Sequence, residues 1–242
     1  MPSLSLRLEP DGQARPANLL LASLSADAYA RIRRLLEVHP LQMRETLQEA
    51  GDSPDYVYFP TRGNISALTV LESGMMVEVA TIGREGTTAV PVFLGVGDST
   101  MAFISQLPGE ALRMRSEDFL AAISGSPSLN LIMKRYSAVM LGLVSQSAAC
   151  NRAHQVFQRS ARWLLMTHDQ TRGEPFPLTQ EFLAQMLGVT RASLASSEGE
   201  LQRAGLISYH RGMMTVVDRA GLERAACECY ATIRDRFRRL QL

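Results

Sequence analysis

The sequence predicts an α+β chain in three parts: an N-terminal antiparallel β domain, a long helix and a C-terminal winged helix-turn-helix. Three observations support this fold class. Short β-rich segments separated by glycines occupy residues 56–114, apolar residues recur every seven positions over 128–150, and two short helical segments flank a glycine within 178–207. Because no helices alternate with the strands, an antiparallel barrel or sandwich is favoured over a parallel nucleotide-binding sheet.

The composition is that of a globular protein whose two parts differ in charge. Of the 242 residues, 46% are hydrophobic and 20% are charged, which argues against a disordered chain. Residues 1–150 carry 12 Lys and Arg against 15 Asp and Glu, whereas residues 151–242 carry 13 against 9. This change in net charge from −3 to +4 indicates that the second part binds a polyanion, although a chance fluctuation would give the same asymmetry.

The sequence shows no feature of an exported or membrane protein. Three cysteines, an odd number, do not make a disulfide framework and fit a reducing compartment. Residues 1–18 lack the basic-then-apolar pattern of a signal peptide, and the longest apolar stretch, 138–144, is interrupted by Gly142. We therefore expect a cytoplasmic protein with no membrane partner.

The N-terminal part divides at a turn-rich cluster, residues 51–54. Before it, residues 1–18 are expected to form a flexible arm, and helical spacing over 19–48 predicts a helix with Ser25 as its N-cap. After it, a strand over residues 56–59 is expected to stop at Pro60, with a turn at Gly63.

The long helix over residues 128–150 carries an apolar stripe. Leu129, Tyr136 and Leu143 lie seven residues apart, and Ile132 and Val139 follow the first two by three. A stripe with this period is typical of a helix that pairs with a partner helix, so we expect a homodimer. The alternative is a helix that packs on its own domain.

The segment 178–207 has the local signals of a helix-turn-helix. Thr179 can cap a first helix, Gly188 supplies a left-handed stop, and Thr190 can cap a second helix. A hairpin over 206–217 with its turn at Arg211 forms the wing, and a terminal helix is expected from Ala220 to Leu242.

Such a second helix fits the major groove of DNA, where residues of its first turns meet base edges. Here these residues are Arg191, Ala192, Ser193 and Ser196, while His210 and Arg211 at the wing tip suit phosphate contacts. The small number of basic residues on the second helix is the main argument for the alternative, a purely structural helix pair.

With these residues in place, the chain resembles the Crp/Fnr superfamily of bacterial transcription regulators. Residues 51–59 look like the start of its β-roll, 128–150 are similar to its dimerisation helix, and 178–207 match its helix-turn-helix. The resemblance implies a flexible arm (1–18), a cyclic-nucleotide-binding-like β-roll sensor domain (19–127), a dimerisation helix (128–150) and a winged helix-turn-helix DNA-binding domain with a C-terminal helix (151–242). It also implies a homodimer that binds a near-palindromic operator in double-stranded DNA and contacts RNA polymerase.

The resemblance also assigns site residues. Arg191 stands at the family's guanine-reading arginine, Ser193 at a second contact position, and Thr179 and Thr190 at phosphate-contact positions. Ala192 and Ser196 depart from the family's Glu and Arg, so a different base-reading code is expected. The predicted DNA-binding residues are Thr179, Gln180, Thr190, Arg191, Ser193, Ser196 and Arg211, and the predicted dimerisation residues are Leu129, Ile132, Tyr136, Val139 and Leu143.

The effector is not identified by the sequence. Thr88-Ala89 and Ser99-Thr100 stand where members that bind cyclic nucleotides carry Gly-Glu and Arg-Ser. Without the arginine a buried phosphate lacks a charge partner, so cyclic AMP is disfavoured. Residues 83–86 are either a displaced substitute or, as favoured here, a charged β-turn.

No cofactor, metal or catalytic activity is expected. An iron–sulfur cluster needs four cysteines, and no histidine has an obvious haem-ligand context. Cys227 and Cys229 could bind metal or oxidise, but their spacing on a continuous helix would point the two sulfurs apart, which favours packing cysteines. Because no hydrolase, P-loop or zinc-protease motif occurs, the functional alternative is a ligand-binding sensor whose winged helix mediates protein–protein contact.

Overall fold

The computed structural model describes residues 6–8 and 14–240 and has the predicted α+β architecture. The strands are β1 (Leu6–Leu8), β2 (Ala14–Pro16), β3 (Glu37–Leu41), β4 (Thr46–Gln48), β5 (Tyr56–Val70), β6 (Met76–Ile82), β7 (Ala102–Arg115), β8 (Phe176–Pro177), β9 (Ile207–His210) and β10 (Met213–Val216). The helices are α1 (Leu19–Ala22), α2 (Ala26–Arg33), α3 (Val90–Phe93), α4 (Ser116–Ser124), α5 (Pro127–Ala153), α6 (Val156–Gln170), α7 (Gln180–Leu187), α8 (Arg191–Arg203), α9 (Arg219–Ala225) and α10 (Cys229–Arg239).

The chain forms two compact units. The first takes in the chain up to Ala67, Ile82–Met140 and the last residues from Phe237. The second comprises Leu68–Thr81, which is the end of the β5–β6 hairpin, and Leu141–Arg236. Helix α5 runs from one unit into the other, so each unit is described by itself below.

The N-terminal segment differs from the sequence-based expectation. Much of the expected arm, residues 1–5 and 9–13, lies outside the described residues, while β1 and β2 pair as antiparallel strands. Ser25 caps α2 as predicted, since its hydroxyl accepts from the Ala28 amide, but the predicted helix ends at Arg33. The rest of the predicted helix is wrong, because residues 37–48 form β3 and β4 and pair antiparallel with the distant β7.

The first unit is built on an antiparallel sheet in the order β3-β7-β5-β6, with β4 also on β7. Strand β5 continues through Pro60, so the expected stop there is wrong. Gly63 has φ 75°, and a Cβ there would lie 2.7 Å from the Leu107 carbonyl oxygen. The strand therefore bends at a residue that only glycine can occupy without strain, and it does not end.

The core of the first unit lies between this sheet and helices α4 and α5. It contains large side chains with almost no exposed surface from β5, β6, β7 and the two helices: Phe59, Ile65, Ile82, Leu112, Met114, Phe119, Met133 and Tyr136. Helix α4 begins at Ser116, with Glu117 and Asp118 in its first turn.

The second unit contains helices α6 to α10 and the three-stranded antiparallel sheet β8-β10-β9. A predicted continuous helix from Ala220 to Leu242 is wrong in one respect: α9 ends at Ala225, Ala226 is extended (φ −73°, ψ 156°), and α10 begins at Cys229. Residues 241 and 242 lie outside the described part. No helix of the described residues is long and apolar enough to cross a bilayer.

Candidate nucleic-acid interface

Helix α7 and the turn after it are fixed by local hydrogen bonds. The Thr179 hydroxyl accepts from the Phe182 amide at 3.2 Å and so caps the helix. Gly188 ends the helix with φ 62°, and the Val189 amide donates back to the Ala184 carbonyl. This left-handed closure is the one that the glycine predicts.

Helix α8 begins immediately after this turn. The Thr190 hydroxyl accepts from the Ser193 amide at 3.2 Å and lies 2.9 Å from the Ser193 hydroxyl. Leu194 and Leu201 are buried on the inner side of the helix. Thr190 therefore fixes where the first turn of α8 starts and which side chains it exposes.

The outer side of the α8 N-terminus is a compact exposed surface. Arg191, Ala192, Ser193 and Ser196 are all exposed. Within the described residues, the Arg191 guanidinium makes no hydrogen bond or ion pair, so it is available to a ligand. The structure thus brings Thr190, Arg191, Ser193 and Ser196 onto one surface.

Gln180 does not belong to this exposed surface. Its side-chain amide donates to the Glu198 carboxylate at 2.6 Å and so joins α7 to α8. Glu198 is only 1% exposed, and its second carboxylate oxygen has no hydrogen-bond partner. Burial raises the pKa of Glu198, whereas the hydrogen bond from Gln180 acts in the opposite direction.

The wing is a tight hairpin. His210 and Met213 pair across a two-residue turn in which Arg211 has φ 47° and Gly212 has φ 79°. Positive φ at both central residues is typical of a type I′ turn, which suits the twist of a two-stranded hairpin. The Arg211 and His210 side chains are exposed at the tip.

A polar network supports the helix-turn-helix from behind. Arg219 on α9 bonds to four groups: the Asp169 carboxylate at 2.7 Å, the Tyr230 hydroxyl at 2.7 Å, the His168 ring at 2.8 Å and the Glu223 carboxylate at 3.1 Å. The Arg159 guanidinium donates to the Leu187 carbonyl at the end of α7. These bonds link α6, α7, α9 and α10.

Helix α5 presents the predicted dimerisation residues on two different sides. Leu129, Tyr136 and Leu143 are at most 3% exposed within a single chain. The Tyr136 hydroxyl accepts a hydrogen bond from the Thr87 amide at 3.1 Å. Ile132 and Val139 are only half-buried, so they differ from the other three in being accessible to a second copy.

Thr88 and Ser99, which the resemblance places at cyclic-nucleotide positions, make internal contacts. The Thr87 hydroxyl donates to the Tyr58 carbonyl at 2.8 Å, and the Thr88 hydroxyl accepts from the Tyr58 amide at 3.0 Å. Ser99 is buried and its hydroxyl donates to the Met101 carbonyl. Next to these groups, the Tyr136 hydroxyl lies so close to Gly86 that no Cβ fits there.

Sequence reasoning missed a cluster of three cysteines and one histidine in the second unit. The sulfurs of Cys150, Cys227 and Cys229 and the His154 ring lie within 4.8 Å of one another. The prediction that the sulfurs of Cys227 and Cys229 point apart assumed one continuous helix, and this premise is wrong because Cys227 precedes α10. The signal that could have found the cluster is Cys-x-x-x-His at the end of α5 together with Cys-x-Cys, since residues four apart share a helix face.

The comparisons with known proteins agree with this geometry. Residues 158–225 match the family model described as the Crp-like helix-turn-helix domain. The global nitrogen regulator of Nostoc sp. is 24% identical over 190 residues, which are 74% of this chain and 84% of that protein.

Solved structures share the fold over most of the chain. FixK2 from Bradyrhizobium japonicum aligns with a TM-score of 0.65 and 14% identity, over 79% of this chain and 98% of its own. A transcriptional regulator of the CRP family from Thermus thermophilus aligns with a TM-score of 0.64 and 17% identity, over 78% of this chain and 96% of its own. At these identities the likeness shows a shared fold.

Proposed function

We propose that the chain is a transcription regulator of the Crp/Fnr type, that it binds a near-palindromic operator as a homodimer, and that it reads bases with the N-terminal turns of α8. The observation that carries the proposal is the exposed surface formed by Thr190, Arg191, Ser193 and Ser196. Arg191 is its one cation, and bidentate contact with the O6 and N7 atoms of guanine suits its guanidinium.

The remaining predicted DNA-binding residues receive different roles in the proposal. Arg211 at the wing tip contacts a phosphate, which positions the protein without reading sequence. Thr190 caps α8, so its hydroxyl lies at the N-terminus of that helix, where a phosphate can bind. Thr179 has the same capping role for α7, whereas Gln180 holds Glu198 and thereby sets the packing of α7 on α8.

The proposed dimer forms along α5 and uses the two predicted dimerisation residues that stay accessible in a single chain. Because Leu129, Tyr136 and Leu143 are already buried within one chain, a second copy meets Ile132 and Val139 together with the exposed Leu131. Leu131 is 49% exposed, and covering it on association is favourable by the hydrophobic effect. Two recognition helices then lie about 34 Å apart, one turn of DNA.

We also propose that cyclic AMP is not the effector. The hydroxyls of Thr87, Thr88 and Ser99 are engaged in hydrogen bonds to the backbone, and Tyr136 fills the space beside Gly86. The aligned positions supply no arginine, so a phosphate buried there would lose its hydration without gaining a charge partner. Contact with RNA polymerase completes the proposal and is tested by in vitro transcription from a promoter that carries the operator.

Selection of bound DNA from a random duplex pool tests the proposal, with purified protein and no added ligand. We expect enrichment of a two-fold symmetric site, and affinity for that site that falls steeply as salt rises because bound counterions are released. Failure to bind any duplex at low salt would contradict DNA recognition and would favour the alternative, a winged helix that docks on another protein. Addition of cyclic AMP is expected to leave the selected site and its affinity unchanged.

A further inference from the structure

The cluster at the end of α5 has the composition and geometry of a metal site. Cys150 lies in the last turn of α5, His154 follows directly after that helix ends at Ala153, and Cys227 and Cys229 come from the α9–α10 junction. The three cysteines have at most 4% exposure, and the histidine is partly buried. Two short segments far apart in sequence therefore converge on one point with three sulfurs and one imidazole nitrogen.

Two separations within the cluster match a tetrahedron around one ion, and all four ligand atoms lie within 4.8 Å of one another. With Zn–S bonds of about 2.3 Å and Zn–N bonds of about 2.0 Å, two sulfurs lie about 3.8 Å apart, and a sulfur and a nitrogen about 3.5 Å apart. Here the sulfurs of Cys150 and Cys227 are 3.5 Å apart, and the Cys229 sulfur is 3.7 Å from His154 Nδ1. A [4Fe–4S] cluster needs wider spacing, because each ligand then binds a different iron.

Groups around the cluster orient its ligands in the way that metal sites require. The second ring nitrogen of His154, Nε2, lies 3.0 Å from a carboxylate oxygen of Glu228, which holds the ring with Nδ1 directed at the sulfurs. The side-chain amide of Gln146 donates to the Cys229 sulfur at 3.1 Å. Carboxylate and amide partners of this kind fix the tautomer of a ligating histidine and stabilise a thiolate.

Charge balance gives an independent argument. Arg159 and Arg162 are at most 7% exposed, and within the described residues neither pairs with a carboxylate. Both lie near the Cys150 side chain. One zinc ion with three thiolates and a neutral imidazole carries a net charge of −1, which compensates buried guanidinium groups that otherwise lack a counter-ion.

We propose that Cys150, His154, Cys227 and Cys229 bind one structural Zn²⁺ ion per chain. Four protein ligands close the coordination sphere, so the site is structural and leaves no position for a substrate. When Zn²⁺ binds, each of the three thiols releases its proton to solvent and its sulfur becomes a metal ligand. The ion ties the end of α5 to the α9–α10 junction, behind the helix-turn-helix.

Metal content of the purified full-length protein tests the proposal without any DNA. We expect one zinc per chain by elemental analysis, and Co²⁺ substitution is expected to give the intense visible bands of a tetrahedral thiolate site. Cys227→Ser and His154→Ala are expected to lose the metal, and a chelator is expected to lower the Tm of the wild-type protein. His210→Ala, which removes an exposed imidazole of the wing, is the matched control and should retain one zinc.

Glu228→Gln provides a second test of zinc binding in case a ligand variant does not fold. Glu228 is exposed and only orients His154, so its replacement should leave the fold intact. This variant should still bind one zinc at saturation, with affinity reduced by about 10–100-fold. The proposal is overturned if reduced protein binds no zinc after dialysis against it, if iron with labile sulfide is found, or if Cys150 and Cys227 form a disulfide instead. DNA selection is a separate assay, so its failure would leave the metal result unaffected.

Discussion

Replacing Tyr136 with phenylalanine removes one buried hydroxyl and tests what this residue does. The sequence predicts a dimerisation contact, whereas in the structure its hydroxyl accepts from the Thr87 amide at 3.1 Å in a site with no exposed surface. Burial also raises the pKa of Tyr136 above its ordinary range, so the group is neutral at every working pH. The substitution therefore removes a hydrogen bond and no charge.

The expected cost follows from the amide that is left behind. The Thr87 N–H stays buried without an acceptor, and the space left by the hydroxyl lies against Gly86, where water has little room. A buried unsatisfied donor costs about 1–3 kcal/mol, so we expect Tyr136→Phe to lower the free energy of unfolding by that amount.

Urea unfolding followed by circular dichroism measures this loss, with Tyr56→Phe as the control. Tyr56 is partly exposed, and its ring stacks under Arg113 at 4.2 Å, a contact that phenylalanine keeps. The control should change stability by no more than about 0.5 kcal/mol. If Tyr136→Phe also changes stability by no more than this but weakens dimerisation in sedimentation experiments, our assignment of Tyr136 to the core is refuted.

Three further substitutions test the helix-turn-helix and the dimer. Gly188→Ala should lower the free energy of unfolding by about 1–2 kcal/mol in urea unfolding, because Gly188 has φ 62°. Gly199→Ala, at an open position within α8, should stabilise the protein. Equal effects of the two substitutions would contradict the assignment of a left-handed turn at Gly188. Glu198→Gln should raise the free energy of unfolding by an amount that grows as pH rises above 4.5. The pKa of Glu198 is raised in the native state, so the wild-type protein loses stability when this carboxyl ionises. A gain in stability that does not depend on pH would contradict this explanation. Leu131→Arg should raise the dimer dissociation constant at least tenfold in sedimentation equilibrium, while Leu120→Arg on α4 should not. Similar dissociation constants for the two variants would contradict a dimer interface at Leu131.

The helix-turn-helix could be predicted from sequence because its signals are local. The capping threonines at 179 and 190 and the left-handed Gly188 each act within a few residues, and all three occur as expected. The strand β3 could not be predicted in this way. Its residues have helical spacing, and only their pairing with β7, about seventy residues away, makes them a strand.

The long helix and the metal cluster show two other limits. Heptad spacing over α5 predicts an apolar stripe but does not say whether the chain's own core or a second copy covers it, so Leu129 and Ile132 were assigned to one surface. The break at Ala226 carries neither glycine nor proline, so a continuous helix was predicted and the convergence of Cys227 with Cys150 was missed.

The most direct test of base reading by α8 is DNA selection with Arg191→Ala beside the wild-type protein. Arg203→Ala is the control, since Arg203 lies in the last turn of the same helix and its guanidinium donates to the Gly199 carbonyl. We expect Arg191→Ala to lose the guanine preference at one symmetric pair of positions and about 1–3 kcal/mol of binding free energy, while Arg203→Ala keeps the wild-type site. An Arg191→Ala protein that selects the wild-type site with undiminished preference at every position would contradict the assignment of α8 as the recognition helix.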